Sequence, residues 1–188
     1  MSNRIEALAS SRTHRQLELD RLIHLATPTL MDVLPAGADL NPIALLGALA
    51  WQESSFGRDG GHCRREPAYR PGGRYFTAPH MQAIYAAFGD AGASSWSSFQ
   101  LLYVAAWEIG CDLAPWALHE DATALTWVIR YLDRRIFQAG ARTVAEIADA
   151  YNSGSAKDGN VPAEYIASFT AHYNACLDRL ARGVALGP

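Results

Sequence analysis

Apolar side chains at Leu17, Leu19, Leu22, Ile23, Leu25, Leu30, Val33 and Leu34 recur at mostly helical intervals. They predict a first helix, broken near Pro28 because proline removes a backbone donor and crowds the preceding turn. The chain before Thr13, residues 1–12 in particular, is expected to fray. Asn41 followed by Pro42 reads as an N-cap with proline at the first helical position. Ile43 to Gln52 then continues as an almost wholly apolar helix rich in Ala and Leu, which must be buried on most sides. That helix delivers Glu53 at or near its last turn, because Gly57, Gly60 and Gly61 follow and close any helical continuation.

From Gly57 to Pro79 the glycines and prolines cluster, with Arg58, Arg64, Arg65, Arg70 and Arg74 between them, so this stretch predicts an irregular or weakly β excursion. Excursions of that length inside compact domains are usually functional. Helical patterns resume at His80 to Phe88, at Ser98 to Ile109, and from Asp121 to Gln138, where Gly140 acts as a stop. Thr143 with Glu146 makes a capping box for a short helix running to Tyr151. A final helix from Pro162 to Leu180 buries a stripe of Tyr165, Ile166, Phe169, Tyr173, Cys176, Leu177 and Leu180. The expectation is a mainly α protein of about seven helices with little strand. No repeat, low-complexity tract or linker divides residues 1–188, which read as a single domain.

Composition narrows the partners. With 19 acidic and 16 basic side chains the formal charge is -3, too near neutral for the basic field that grasps phosphate backbones, so no nucleic-acid partner is expected. The most apolar stretch, Pro42 to Trp51, falls far short of the ~20 residues a membrane-spanning helix needs. No secretory signal is visible in Met1-Ser2-Asn3-Arg4-Ile5-Glu6. Cys63, Cys111 and Cys176 are odd in number and form no CxxC pair, which fits reduced thiols. His62 beside Cys63 lacks a second ligand pair at tetrahedral-site spacing, so no metal and no cofactor is expected.

Glu53 is the residue whose position calls for chemistry. It ends the most hydrophobic helix, between Trp51 and Phe56. Apolar surroundings disfavour a charged carboxylate, and the carbonyl end of a helix is the negative pole of its dipole. Both effects are expected to favour the protonated form, which is the form that general-acid attack on a glycosidic oxygen requires.

Three local patterns follow one another in a fixed order: Glu53-Ser54-Ser55-Phe56, Ser95-Trp96-Ser97-Ser98-Phe99-Gln100, and Ala150-Tyr151-Asn152-Ser153-Gly154. Together they resemble the soluble lytic transglycosylase and goose-type lysozyme superfamily, whose motifs read Glu-Ser-x-Phe, Gly-Leu-Met-Gln and Ala-Tyr-Asn-x-Gly. Arg64-Arg65-Glu66-Pro67-Ala68-Tyr69 also looks like an Arg-Tyr-Glu-Pro element of phage-associated members, and Ala106-Trp107-Glu108-Ile109-Gly110 resembles the helix end that follows their glutamine. The resemblance spans Asn41 to Tyr173. One departure stands out: Ser97-Ser98-Phe99 replaces Gly-Leu-Met in a segment that lies against the sugar in the family.

The resemblance implies a lysozyme-like fold whose helices surround a substrate cleft, with peptidoglycan glycan strands as the partner. Glu53 would protonate the oxygen between N-acetylmuramic acid and N-acetylglucosamine and later act as base. Ser54 would hydrogen-bond the acid or the neighbouring sugar, or else cap its helix. The Gln100 amide would meet N-acetyl and hydroxyl groups. Tyr151 and Asn152 would line the opposite wall, with the Tyr151 phenol turned toward Glu53 and with Asn152 and Gly154 in left-handed conformations. Trp96 and Phe99 flank the glutamine, and Trp96, Trp107, Trp116 and Trp127 offer stacking faces unless helical packing claims them.

The reaction type turns on a second carboxylate. Inverting hydrolysis needs a base roughly 6.5 to 9.5 Å from the acid, and Asp59 and Glu66 are the candidates. Transglycosylase-like members need only one glutamate, because the muramic acid hydroxyl at carbon six attacks the anomeric centre and leaves a 1,6-anhydro end. The third motif favours that outcome. A catalytically silent saccharide-binding or virion domain, and a helical regulator of another protein, are the other classes the sequence leaves open. Without a visible signal peptide, the expected routes to the wall are phage lysis, delivery in a virion, or a separate export machinery.

Overall fold

The computed structural model describes residues 2–58, 63–154 and 161–187, with side chains from His14 onward. Among the described residues the fold is mainly α, with seven α-helices and a small three-stranded sheet, as the periodicities predict. The helices are α1 (Ser2–Met31), α2 (Pro42–Ser54), α3 (Pro79–Phe88), α4 (Tyr103–Glu108), α5 (Asp121–Tyr131), α6 (Val144–Ser153) and α7 (Ala163–Ala181). The strands are β1 (Cys63–Arg65), β2 (Ser94–Trp96) and β3 (Leu101–Leu102). Contacts divide the chain into two compact units, residues 1–60 with 132–188, and residues 61–131.

The first unit is built on α2 and α7. Asn41 caps α2, its side chain accepting from the Ala44 N–H at 3.0 Å, and Pro42 opens the helix as expected. Ala44 to Ala50 are all buried. The two helices approach closely where α2 has no side chain: a Cβ at Gly47 would sit 2.8 Å from the Cys176 sulfur. The Asn41 N–H donates to the Tyr173 hydroxyl at 2.7 Å. On α1, Leu19, Ile23 and Leu30 supply the buried face. The predicted break at Pro28 does not occur, since α1 runs through it to Met31. Proline lacks the N–H that would bond one turn back, and beside it the Thr27 hydroxyl donates to the Ile23 carbonyl at 2.9 Å. α1 begins at Ser2, in a stretch with no glycine or proline before Pro28.

The capping box forms as predicted, Thr143 accepting from the Glu146 N–H and Glu146 from the Thr143 N–H, and Gly154 ends α6 in the left-handed region at φ 79°. Asn152, expected to be left-handed, stays inside the last turn of α6. The long helix predicted to Gln138 changes character midway: Leu132–Phe137 is a π-helical turn, with the Gln138 N–H donating to the Asp133 carbonyl. Gly140 follows at φ 97° and stops it.

The second unit carries the sheet. β1 pairs antiparallel with β2, Arg64 opposite Ser95, and β2 pairs with β3, Trp96 opposite Leu101. Among its described residues the expected excursion contains the short strand β1, followed by a 3-10 turn at Pro67–Tyr69. The predicted helix from Ser98 is corrected to a hairpin, and α4 begins only at Tyr103. Ser97 and Gln100 take φ 67° and 47°, left-handed values that no helix propagates through. Ser98 is withdrawn from helix formation by Asp121, whose carboxylate accepts from its N–H at 2.8 Å and its hydroxyl at 2.9 Å.

The cysteines are all unbridged, with Cys63 exposed and Cys111 and Cys176 buried. Burial raises both inner thiols, Cys176 to about 12. A thiol reagent added to the folded protein is expected to titrate Cys63 alone, and all three cysteines after unfolding. Rapid reaction of more than one thiol in the native state would contradict this packing.

Candidate functional site

In the first unit the last turn of α2 brings its carboxylate to the first turn of α7. The Tyr165 hydroxyl donates to Glu53 Oε1 at 2.6 Å. Glu53 is half-buried. Tyr165 falls on the stripe that periodicity predicts as buried on α7, while the resemblance implies a phenol here from Tyr151. The pattern contains Tyr165 but gives no sign of its hydrogen bond to Glu53. Tyr151 is half-buried and Asn152 exposed, both in the last turns of α6.

The backbone after Glu53 is unusual. Ser55, Phe56 and Gly57 are all left-handed, at φ 49°, 60° and 74°. For a serine and a phenylalanine such values cost of order 1–3 kcal/mol each and persist only where the surroundings fix them. Here Ser55 and Phe56 N–H donate to the Trp51 and Ala50 carbonyls at 3.0 and 2.9 Å. Ser54, fully within α2, donates to the Ala50 carbonyl at 3.0 Å and accepts from the Gly57 N–H at 2.8 Å. Its hydroxyl therefore serves the helix cap, one of the two roles expected for it. Phe56 is wholly buried, so burial of its ring helps hold the strained turn.

Behind this turn, Trp51 packs on His172 with ring centroids 5.0 Å apart, and His172 Nε2 lies 3.3 Å from the Ser168 hydroxyl. Desolvation holds the His172 imidazole below its ordinary range. The folded state thus binds this proton less readily than the unfolded chain. The contribution to stability is complete above the ordinary histidine pKa of about 6.5 and is lost as pH falls through it. His172→Gln is expected to reduce the acid-induced fall in melting temperature between about pH 7.5 and about pH 5. An unchanged fall would contradict it.

The other candidates lie in the second unit. Glu66 Oε1 accepts from the Ser95 hydroxyl at 2.8 Å and from Arg64 Nε at 2.9 Å, which ties β1 to β2. Gln100 is buried, and its amide donates to the Ser97 carbonyl at 2.7 Å. Phe99 is fully buried, and Trp96 is buried with its indole N–H on the Ala91 carbonyl at 3.2 Å. These two rings belong to the core of the unit and present no open face to a sugar. Trp127 is buried as well, whereas Trp107 and Trp116 are 43% and 60% exposed. Trp107 stacks on His80 with the rings 3° from parallel, and Trp116 meets Phe88 edge to face. Asp59 and His62 lie outside the described residues.

Among the described residues no group of three His, Cys, Asp or Glu side chains could hold a metal ion, and no helix is long and apolar enough to cross a membrane. No protein-family model, curated protein or solved structure matches the chain.

Proposed function

We propose that this protein cleaves the β-1,4 bond between N-acetylmuramic acid and N-acetylglucosamine in peptidoglycan, with Glu53 as its general acid and base. The observation that carries the reading is the 2.6 Å hydrogen bond that holds the Glu53 carboxyl against the Tyr165 phenol at the end of a helix whose Ala44–Ala50 run is buried. The ordered Glu-Ser-x-Phe and Ala-Tyr-Asn-x-Gly patterns add the substrate class by resemblance.

In the proposed reaction Glu53 gives its proton to the bridging oxygen as the bond to the anomeric carbon breaks. The carboxylate left behind takes the proton of the muramic acid hydroxyl at carbon six as that oxygen bonds to the same carbon. The product is a 1,6-anhydro end, no water enters, and the enzyme returns to its starting protonation. Tyr165 is a positioning residue here. Its donated hydrogen bond restrains one carboxyl oxygen and so the orientation of the group. The Ala-Tyr-Asn-x-Gly pattern supports the single-carboxylate lytic transglycosylase over an inverting muramidase, by resemblance.

One observation favours a second reading, a catalytically silent saccharide-binding or virion domain. The segment that lies against sugar in the resembling family is here turned inward, with Ser98 bound to Asp121 and Gln100 bound to the Ser97 carbonyl. Sacculi separate the two readings. Sedimentation of the protein with sacculi, without release of soluble muropeptides, supports the silent domain; release that Glu53→Gln abolishes supports the enzyme.

A further inference from the structure

Three residues that follow α7 are tied down more heavily than their irregular backbone requires. The Leu186 N–H donates to Asp20 Oδ1 at 2.8 Å on α1, and the Leu186 carbonyl accepts from Trp51 Nε1 at 3.0 Å on α2. Arg179 donates from Nε to the Ala185 carbonyl at 2.6 Å and from Nη2 to the Gly187 carbonyl. Gly187 lies against the Phe56 ring so closely that a Cβ there would be 2.8 Å from Phe56 Cδ1. Leu186 is fully buried, and its side chain would meet a Cβ at Gly47 at 3.3 Å.

The two side chains this segment grips, Trp51 and Phe56, bracket Glu53. Phe56 is also the bulkier of the two non-glycine residues in the left-handed run that ends α2. A phenylalanine keeps φ 60° only while its ring is captured, and part of that capture is the face of Gly187. Released, the turn relaxes toward negative φ. The Schellman-type bonds to Ala50 and Trp51 are then lost, and the last turn of α2 moves with the carboxylate it carries. We infer that residues 185–187 form a clamp that sets the position of the Glu53 carboxyl, acting through Trp51 and Phe56 and held in place by Asp20 and Arg179. The inference rests on the reading of Glu53 as the acid and base, and it names positioning residues far from Glu53 in sequence.

Asp20→Ala removes the acceptor of the Leu186 N–H, Asp20→Asn keeps an oxygen there, and Gly187→Ala drives a methyl group into the Phe56 ring. In the full chain the expected result is that Asp20→Ala and Gly187→Ala shift the carboxyl carbon resonance of Glu53, identified by its disappearance in Glu53→Gln. Asp20→Asn should restore the wild-type resonance. With soluble glycan strands, the same two variants should lower kcat about 10- to 100-fold, with a much smaller change in KM. If the Glu53 resonance stays in place in both variants while melting temperature falls, the segment is structural only and the clamp is overturned. Failure of one variant to fold leaves the other and the asparagine rescue to decide. Should wild type release nothing from glycan, the catalytic reading fails, while the carboxyl resonance still decides whether the clamp exists.

Discussion

Glu53→Gln is expected to lower release of soluble muropeptides from purified sacculi by about 10²- to 10⁴-fold, the range that a positioned general acid contributes. Glutamine matches glutamate in shape and keeps an oxygen able to accept the Tyr165 hydrogen bond, so the left-handed turn and the α2–α7 contact should survive. What it lacks is a proton it can give to a sugar oxygen and take back. Melting temperature should therefore stay within a few degrees of wild type, a shift of about 1 kcal/mol or less. The variant should also still sediment with sacculi. Equal release by the two proteins would remove Glu53 from the chemistry, whatever the geometry around it.

Tyr165→Phe is expected to produce the second largest effect, a loss of about 10- to 100-fold in kcat, because it frees a carboxyl that must approach the bond oxygen in one orientation. The ring remains, so packing changes little, and loss of a half-buried hydrogen bond costs about 0.5–1.5 kcal/mol of stability. Non-additivity gives the sharper measurement. If the phenol acts only through the carboxyl, adding Tyr165→Phe to Glu53→Gln should lower the residual rate no further. An independent loss in the double variant would show that Tyr165 has a separate role. Full activity of Tyr165→Phe would show that the 2.6 Å bond has no part in the reaction.

Local chemistry was readable wherever a short stretch carries its own structural instruction. Asn41-Pro42 starts α2, Thr143 with Glu146 starts α6, and Gly140 and Gly154 end elements in left-handed conformations, all as the residues predict. What could not be read depends on partners distant in sequence. Ser98 follows a helical pattern, yet the hairpin wins because Asp121, 23 residues on, takes its N–H and hydroxyl. Ser97, Gln100, Ser55 and Phe56 are non-glycine residues at positive φ, which propensity disfavours and only tertiary packing sustains. Pro28 predicts a break, yet α1 runs through it to Met31, because a proline's cost can be absorbed where the rest of the helix is held by packing.

The site divides the same way. Glu53 stands out in the sequence as a candidate because a carboxylate closing a hydrophobic helix conflicts with its surroundings, and such conflicts concentrate at functional positions. Its phenol partner does not, since Tyr165 lies 112 residues away and falls on a stripe that periodicity explains as core. Trp96 and Phe99 show the converse. Aromatic residues beside a motif resemble a sugar platform, but their rings fill the interior of the hairpin unit.

If one carboxyl cuts the glycan by moving a proton between two sugar oxygens, no water is consumed. Digestion of sacculi by the wild-type protein in water enriched in oxygen-18, followed by mass spectrometry of the new muramic acid ends, tests it most directly. The account predicts ends that lack one water relative to a reducing sugar and carry no heavy oxygen. Ends that each carry one heavy oxygen would show hydrolysis instead, and an absence of new ends would show that the protein does not cut this bond.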